Sequence, residues 1–331
     1  MQEKAGRETI VLREAATDPE YGSLPSDRSI SEHIRKGVVN LDKPAGPTSH
    51  EVTSWVRKIL DIGRAGHSGT LDPRVTGVLP IMLEDATRVV DMVKQAGKEY
   101  ISLMRLHRPT PTAITTEICQ EFVGQIYQTP SLKSAVKRQL RIRQIYSIDI
   151  LELAHKETLL RIECEAGTYV RKLCHDIGQA IGSGAHMQEL RRTRAGPFTE
   201  DTSITLHTLK DAYIAWVEEE NEAELRSVIQ PVESALVHLP TITLLDTAVA
   251  AICHGAPLAT PGVSEIETGI KKGDKILLIT LKGEAIALAT AHHPSEEIVK
   301  LKKTIVATTN RVVMEPNIYP KHWKSKKTGA S

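Results

Sequence analysis

The chain has few aromatic residues and no long apolar run. Phe, Trp and Tyr make up 4% of its 331 residues. The absence of any run of about 18 apolar residues excludes a membrane-spanning helix. Residues 1–20 contain no apolar segment of signal-peptide length, so we expect a cytosolic protein. Apolar residues are 40% and charged residues 25% of the chain. That composition excludes a wholly disordered protein and favours about two globular domains.

Cysteine is also scarce, and the sequence contains none of several common catalytic motifs. The four cysteines are scattered and form no C-x-x-C pair, so they predict small buried apolar residues rather than a disulfide framework or a zinc site. No P-loop, dinucleotide-binding glycine motif, G-x-S-x-G or H-E-x-x-H is present. Nucleotide hydrolysis, dinucleotide redox chemistry and zinc proteolysis therefore have no support.

Net charge is nearly absent, but this average hides two opposite regions. The chain carries a formal charge of +1, whereas residues 200–233 contain nine acidic and two basic residues. The net charge of that segment is therefore −7, and the net charge of the rest of the chain is +8. Basic residues collect at 133–143, at 191–194 and in the tail, and such strips suit an RNA phosphate backbone. We expect the acidic helices to face away from RNA.

The pattern along the chain predicts a mixed α+β protein. Thr48 and Glu51 form a capping box before a helix that ends near Gly63. The chain divides into four segments: an N-terminal extension at 1–35, a main domain at 36–240, a β-rich domain at 241–323 and a basic tail at 324–331. The further elements that we predict are strands at 78–83, 98–106, 117–123, 144–153, 158–166 and 187–196, helices at 85–94 and at 169–181 (capped by Thr168), and a hairpin of 276–281 with 285–291.

One loop presents a carboxylate in an unusual setting. Asp72 lies in GHSGTLDPRVTG, where Pro73 favours extended geometry at Asp72 and nearby glycines allow a ligand close to the backbone. A carboxylate presented in this way can act as a nucleophile or a general base. The alternative is an ordinary Asp-Pro turn, and this string alone favours the turn.

Three further features have both a functional and a structural interpretation. Arg171, in the first turn of a helix, would matter if it paired with a carboxylate, and otherwise is a solvent-exposed residue. Tyr100 is a candidate base-stacking platform or a core aromatic. The basic stretch 133–143, together with Arg191, Arg192 and Arg194, is either an RNA surface or a solvated face.

The order of several motifs resembles the TruB-type pseudouridine synthases, and more closely their archaeal and eukaryotic dyskerin-like branch. The similar segments are VVNLDKPAGPTSHEV, GHSGTLDPRVTGVLP, KEY, SAVKRQLRIRQIY, AGTYVRKLCHDIG and GAHMQELRRTRAGPF. AVAAICHGAPLATPGV and the following GIKKGDKILLITLKGEAIALATA resemble a PUA RNA-binding domain. The resemblance spans about residues 30–323. It implies a pseudouridine synthase fold with a mixed, mainly antiparallel sheet, flanking helices and a small β-rich PUA domain against which residues 1–30 pack.

The resemblance also implies residue roles. Asp72, Tyr169 and Arg171 would be catalytic, with Arg171 paired to Asp72. The residues that would contact substrate RNA are His67, Tyr100, Leu190, Lys133, Lys137, Arg138, Arg141 and Arg143. Guide RNA would contact His254, Gly255 and Ala256. Uridine isomerisation breaks C1′–N1 and forms C1′–C5 without oxidation, so neither a cofactor nor a metal is required. Asp72 adding to C6 and Asp72 acting at C1′/C2′ are both compatible with the sequence.

Three functions are compatible with these features. The first is a synthase within an archaeal H/ACA particle, with guide RNA, substrate rRNA or tRNA, a small zinc-ribbon protein, a Gar-type protein and a kink-turn-binding ribosomal-type protein as partners. The second is stand-alone tRNA pseudouridine-55 synthesis. The third is a non-catalytic RNA-binding scaffold, which the presence of both Asp72 and Arg171 disfavours. After Tyr100 the chain lacks the acidic segment of the bacterial stand-alone enzymes, which favours the guided branch.

Overall fold

The computed structural model describes residues 6–129 and 139–321, which divide into two compact units. Unit 1 contains residues 6–38, 84–89 and 230–321, and unit 2 contains residues 39–83, 90–129 and 139–229. In neither unit does the described chain contain a helix with the length and apolar character needed to cross a membrane.

Both units are mixtures of strands and helices. The strands are β1 (Thr9–Val11), β2 (Gly37–Lys43), β3 (Ala65–His67), β4 (Thr76–Leu83), β5 (Lys98–Leu106), β6 (Gly124–Gln128), β7 (Arg141–Ala154), β8 (Glu157–Cys164), β9 (Ala185–Ala195), β10 (Phe198–Thr199), β11 (Gln230–Pro231), β12 (Thr241–Leu244), β13 (Leu258–Ala259), β14 (Val263–Glu267), β15 (Lys275–Ile279), β16 (Ala285–Ala291) and β17 (Ile305–Val312). The helices are α1 (Ile30–Arg35), α2 (Ser49–Ile59), α3 (Val90–Gln95), α4 (Thr112–Glu121), α5 (Val170–Ile181), α6 (Leu206–Glu219), α7 (Glu222–Val228), α8 (Asp246–Cys253) and α9 (Ser295–Ile298).

Unit 2 is organised around one mixed sheet in the order β2-β4-β9-β5-β8-β7-β6, with β3 beside β4 and β10 beside β9. β4 and β9 run parallel, whereas β5 is antiparallel to both β9 and β8, and β7 to both β8 and β6. Apolar residues of α4 and α5 form one buried cluster with β5, β7 and β8. This mixed, mainly antiparallel sheet with flanking helices confirms the predicted α+β class.

Helix α2 shows how local sequence sets an element. The Thr48 side chain accepts from the Glu51 amide while the Glu51 carboxylate accepts from the Thr48 amide, so the predicted capping box is confirmed. Val52 and Val56 are fully buried, as amphipathic spacing predicts, but Trp55 of the same apolar pattern is 40% exposed.

Two predictions about the helices of unit 2 were wrong. The segment 117–123 was expected to be a strand, but it lies mostly in α4, where Thr115 and Cys119 are buried one helical turn apart. Tertiary burial therefore overrides the β preference of the Thr-rich sequence. Thr168 was expected to cap α5, but Tyr169 is the N-cap residue, and the Thr168 hydroxyl donates to the Glu165 carbonyl oxygen instead.

Unit 1 is built on a second sheet, in the order β1-β14-β12-β15-β16-β17-β13. The predicted hairpin is confirmed, since β15 and β16 pair antiparallel around the turn at Lys282 and Gly283. The stretch after residue 241 was expected to be β-rich, and besides its strands it contains the helices α8 and α9. The N-terminal stretch supplies β1 at the edge of this sheet, antiparallel to β14.

The four cysteines are buried free thiols, so the prediction of small buried residues is confirmed. Burial raises the pKa of Cys119 and Cys164 to about 12 and the pKa of Cys174 and Cys253 to about 11. The thiols are therefore uncharged at neutral pH.

Candidate active site

The loop that carries Asp72 is held on its N-terminal side by a buried serine. The Leu71 amide donates to Ser49 Oγ (2.8 Å), and Ser49 Oγ donates to the Leu71 carbonyl oxygen (3.1 Å). Ser49 is fully buried at the start of α2, so its hydroxyl satisfies both backbone groups of the residue before Asp72.

A buried lysine holds the other side of the loop. Lys43 Nζ, at the end of β2, donates to the carbonyl oxygens of Pro73 (3.0 Å) and Val75 (2.9 Å). Burial lowers the pKa of Lys43, and the charge on Asp72 opposes that change. The backbone on both sides of Asp72 is therefore fixed by side chains that come from other elements.

Replacing Ser49 by alanine leaves the Leu71 amide and carbonyl without these partners. Because Ser49 is fully buried, we expect the free energy of unfolding to fall by about 2 kcal/mol, measured by urea titration. Ser227→Ala is the control, since the Ser227 hydroxyl donates to the Glu224 carbonyl oxygen from an exposed position on α7. It should change stability by less than about 0.5 kcal/mol. Equal losses in the two variants would contradict the anchoring role of Ser49.

Asp72 forms an ion pair with Arg171 of α5, as the resemblance predicts. Arg171 Nη2 donates to Asp72 Oδ2, although the two residues are 99 positions apart in the sequence. The side chain of Asp72 is 53% exposed and that of Arg171 is 58% exposed. The carboxylate is therefore open to solvent and available to a large substrate.

Tyr100 lies on β5 opposite Arg192 of β9, and Leu190 of β9 lies opposite Ser102 of the same β5. The side chains of Tyr100 and Leu190 are partly buried and pack against the apolar cluster of unit 2. Burial raises the pKa of the Tyr100 hydroxyl, Arg192 opposes the rise, and the nearby Asp72 carboxylate adds to it. The Asp72 carboxylate is therefore close enough to act on the pKa of the Tyr100 hydroxyl.

Arg192 was expected to lie on an RNA surface or on a solvated face, but it is buried and supports the site. It is 1% exposed, and it donates to the carbonyl oxygens of Val78 (2.7 Å) and Gly69 (3.2 Å). It also lies opposite Tyr100 where β9 pairs with β5. Arg192 therefore links the loop of Asp72 to the strand of Tyr100. The basic run around residue 192 gives no sign of this burial.

Arg191 and Arg194 belong to the basic stretch that was interpreted as either an RNA surface or a solvated face, and each is paired within unit 2. Arg191 makes two contacts of 3.0 Å with the carboxylate of Asp42 and one with Glu200. Arg194 pairs with Glu163 at 3.0 Å. Nearby acids therefore balance much of the positive charge that the sequence shows at 191–194.

His67 is held in the uncharged state. It lies on β3, and its ring contacts that of His50 edge-on, with centroids 4.8 Å apart. Burial, together with the neighbouring His50 and Arg192, lowers the pKa of His67 to about 4. His67 is therefore neutral at pH 7 and suits van der Waals contact with a nucleotide better than ionic contact.

The predicted basic loop is only partly within the described residues. Lys133, Lys137 and Arg138 lie outside them. Arg141 begins β7, and Arg143 Nη1 lies 3.5 Å from a carboxylate oxygen of Glu165, in the turn before α5.

The residues predicted to contact guide RNA lie in unit 1, where α8 ends. His254 and Gly255 are exposed, and Gly255 adopts a left-handed conformation with φ +85°. The Ala256 carbonyl oxygen accepts from the Thr309 hydroxyl at 2.7 Å, which ties the turn to β17. Backbone groups are thus presented at an open turn.

Four family models match successive parts of the chain. A DKCLD domain matches residues 3–53, the N-terminal domain of TruB family pseudouridylate synthase matches 57–170, the C-terminal domain of tRNA pseudouridylate synthase B matches 171–237, and a PUA domain matches 240–313.

Similar proteins match over nearly their whole length. A protein of Methanosarcina barkeri named "Probable tRNA pseudouridine synthase B" is 53% identical, covering 97% of this chain and 96% of its own. One with the same name from Methanopyrus kandleri is 54% identical, covering 98% and 96%. The chain belongs to the TruB family of pseudouridine synthases. The resemblance seen in the motifs is confirmed.

Two solved structures also resemble this synthase over nearly the whole chain. One described as "Crystal Structure of a Cbf5-Nop10-Gar1 Complex" matches with a TM-score of 0.92 and 50% identity, covering 97% of the synthase and 98% of the other chain. One described as "Structure of H/ACA RNP bound to a substrate RNA containing 2'-deoxyuridine" matches with a TM-score of 0.91 and 47% identity, covering 98% and 99%.

The geometry of the synthase suits an isomerisation that needs one charged group. Arg171 pairs with the solvent-accessible carboxylate of Asp72. Ser49 and Lys43 fix the loop backbone on both sides of Asp72, as preorganised sites require. Within the described residues, no group of three or more His, Cys, Asp and Glu side chains is arranged to hold a metal ion.

Proposed function

We propose that this synthase isomerises uridines selected by an H/ACA guide RNA. The observation that carries the proposal is the near full-length match, at TM-scores of 0.91 and 0.92, to chains described as an H/ACA RNP with substrate RNA and as a Cbf5-Nop10-Gar1 complex. We propose rRNA and tRNA as substrates, Nop10-type and Gar1-type proteins as partners, and the cytoplasm as the location. A kink-turn-binding partner stays a prediction from the sequence resemblance.

In this proposal Asp72 is the catalytic carboxylate and Arg171 orients it. The reaction breaks the C1′–N1 bond of uridine, turns the uracil ring and forms a C1′–C5 bond. The C5 proton leaves to solvent and N1 takes up a proton, so the product is an isomer of uridine. Asp72 assists either by adding to C6 of the ring or by acting at C1′ and C2′. Both routes need an ionised carboxylate with access to a flipped nucleotide, and the 53% exposure of Asp72 supports that access.

Four further residues complete the proposed pocket. Tyr100 stacks on the target base, Leu190 forms an apolar wall beside it, and the neutral His67 contacts the nucleotide. Tyr169 assists proton transfer from its place at the start of α5. The packing of Tyr100 and Leu190 against the same apolar cluster supports a common platform.

We also propose that residues 36–240 form the catalytic domain, that 241–323 form a PUA domain and that 1–35 extend the latter. The exposed turn at His254, Gly255 and Ala256 then contacts guide RNA. The PUA model over 240–313 and the pairing of β1 with β14 support these assignments.

A second activity is favoured by the names of the relatives. They are called tRNA pseudouridine synthase B, so unguided modification of tRNA is a separate proposal for the same site. Both activities use Asp72, and only the source of substrate selection differs.

The experiment that tests the proposed function measures tritium released from RNA labelled at uracil C5. We expect release from a target RNA in the presence of its H/ACA guide and the partner proteins, and no release with a guide of mismatched sequence. A tRNA transcript without guide or partners tests the second activity. Equal release with matched and mismatched guides would overturn guide selection, and no release in any mixture would overturn synthase activity.

A further inference from the structure

One buried side chain holds the backbone of Tyr169. Gln128, the last residue of β6, donates from Nε2 to the Tyr169 carbonyl oxygen (3.1 Å) and accepts at Oε1 from the Tyr169 amide (2.9 Å). The Gln128 side chain is 1% exposed. Its amide group thus meets both polar backbone groups of one residue, and two hydrogen bonds restrict the position and the direction of that residue.

These hydrogen bonds act on the start of α5. Tyr169 is the N-cap residue of the helix, but its side chain makes no capping hydrogen bond to the first turn. Its carbonyl oxygen also accepts from the Leu173 amide (3.0 Å), in the first hydrogen bond of the helix. Gln128 therefore anchors the first carbonyl of α5, and Arg171 follows two residues later in the same turn.

The turn at 165–169, which precedes α5, is also held at its other end, by β7, the strand that pairs with β6. The Glu165 amide donates to the Gln144 carbonyl oxygen (2.8 Å), and the Glu165 carboxylate accepts from the Gln144 amide (3.1 Å). Arg143 pairs with the same carboxylate. β6 and β7 therefore fix the turn at 165–169 at both of its ends.

We propose that Gln128 is a positioning residue for the reaction, because it fixes Tyr169 so that the first turn of α5 holds Arg171 against Asp72. The proposal rests on the proposed roles of Asp72 and Arg171. Gln128 is buried and acts through the helix, without contact to the substrate. The distance over which it acts is short, because two residues separate Tyr169 from Arg171.

Two substitutions of similar volume test this role. Gln128→Met removes both hydrogen bonds, and Gln128→Glu keeps the acceptor but places a second oxygen against the Tyr169 carbonyl oxygen. A displacement of about 1 Å at a reacting group can cost about 10²-fold in rate, so we expect single-turnover rate constants to fall about 10- to 100-fold. The Kd for guide-bound substrate RNA should stay within about twofold, because no RNA contact is removed. Wild-type rates in both variants would overturn the proposal.

Gln120→Met is the control for the loss of a side-chain hydrogen bond to backbone. Gln120 Nε2 donates to the Ile148 carbonyl oxygen (2.8 Å), but Gln120 is an exposed residue of α4. We expect a smaller decrease in Tm than in Gln128→Met and a rate constant within about threefold of the wild type. If the control slows the reaction as much as Gln128→Met does, Gln128 only supports the fold.

A double variant shows whether Gln128 acts through Arg171. In an Arg171→Met background, Gln128→Met should lower the rate constant by less than about twofold, because residues that act as a unit are not additive. Independent, multiplicative losses would overturn the proposal. An Arg171→Met variant with a wild-type rate would instead overturn the proposed role of Arg171. Thermal unfolding of each variant checks that it is folded. If Gln128→Met does not fold, the comparison is made with Gln128→Glu.

Discussion

Asp72→Asn reduces the rate of pseudouridine formation by at least about 10⁴-fold, the loss typical of removing a catalytic nucleophile. Asparagine has the same shape, and the loop around it is held through backbone contacts to Ser49 and Lys43 that the substitution leaves intact. The variant should therefore fold normally and bind RNA, but it lacks the negative charge that both proposed routes require. The measurement is single-turnover tritium release with guide and substrate RNA.

Stability and RNA binding separate a chemical defect from a structural one. The ion pair lost in Asp72→Asn is more than half exposed on both sides, so the free energy of unfolding should change by less than about 1 kcal/mol. Asp91→Asn, at an exposed position in the first turn of α3, is the control and should react at the wild-type rate. Pseudouridine formation by Asp72→Asn within tenfold of the wild type would show that another group performs the chemistry.

Arg171→Met should produce the second largest effect, a loss of about 10²- to 10³-fold in the single-turnover rate constant. The guanidinium of Arg171 is the partner that fixes the Asp72 carboxylate, and methionine has neither charge nor donor. Arg171→Lys should retain more activity, because an ammonium keeps the charge but not the planar donor geometry. We therefore expect the wild type to react fastest, Arg171→Lys more slowly and Arg171→Met most slowly.

The control for Arg171 is an equally exposed arginine pair elsewhere in unit 2. Arg105 pairs with Glu157 at 3.6 Å, with side chains 50% and 45% exposed. Arg105→Met removes the same kind of side chain, and we expect a wild-type rate constant and a similar small change in Tm. Arg171→Met and Arg105→Met with equal rates would show that the ion pair to Asp72 has no part in the reaction.

The sequence predicts much of the fold where local signals are strong. The strand expected at 98–106 is β5 within the same bounds, and the capping box at Thr48 starts α2 as expected. α4 and α8 were missed because neither begins with a side-chain cap and because Thr- and Ala-rich segments give a weak helical pattern. The burial of α4 against the sheet decides its conformation, and burial is a property of the fold rather than of the segment.

The candidate site was predictable only in part. Spacing alone cannot bring Asp72 to Arg171, because the contact depends on how the sheet places a loop beside a distant helix. The family resemblance supplied that pairing. Lys43, Ser49 and Gln128 were missed, since a polar residue that supports a backbone from inside the protein has no characteristic sequence pattern. The partners of Arg191 and Arg194 were missed for the same reason.

The burial of all four thiols makes this protein a convenient starting point for site-specific chemistry. Maleimides react with exposed thiolates, and burial raises the thiol pKa values to about 11 or 12. The native cysteines therefore need not be replaced before a fluorophore or spin label is attached at a new surface cysteine. Distances between such a label and a labelled RNA can then be followed in the otherwise unaltered protein.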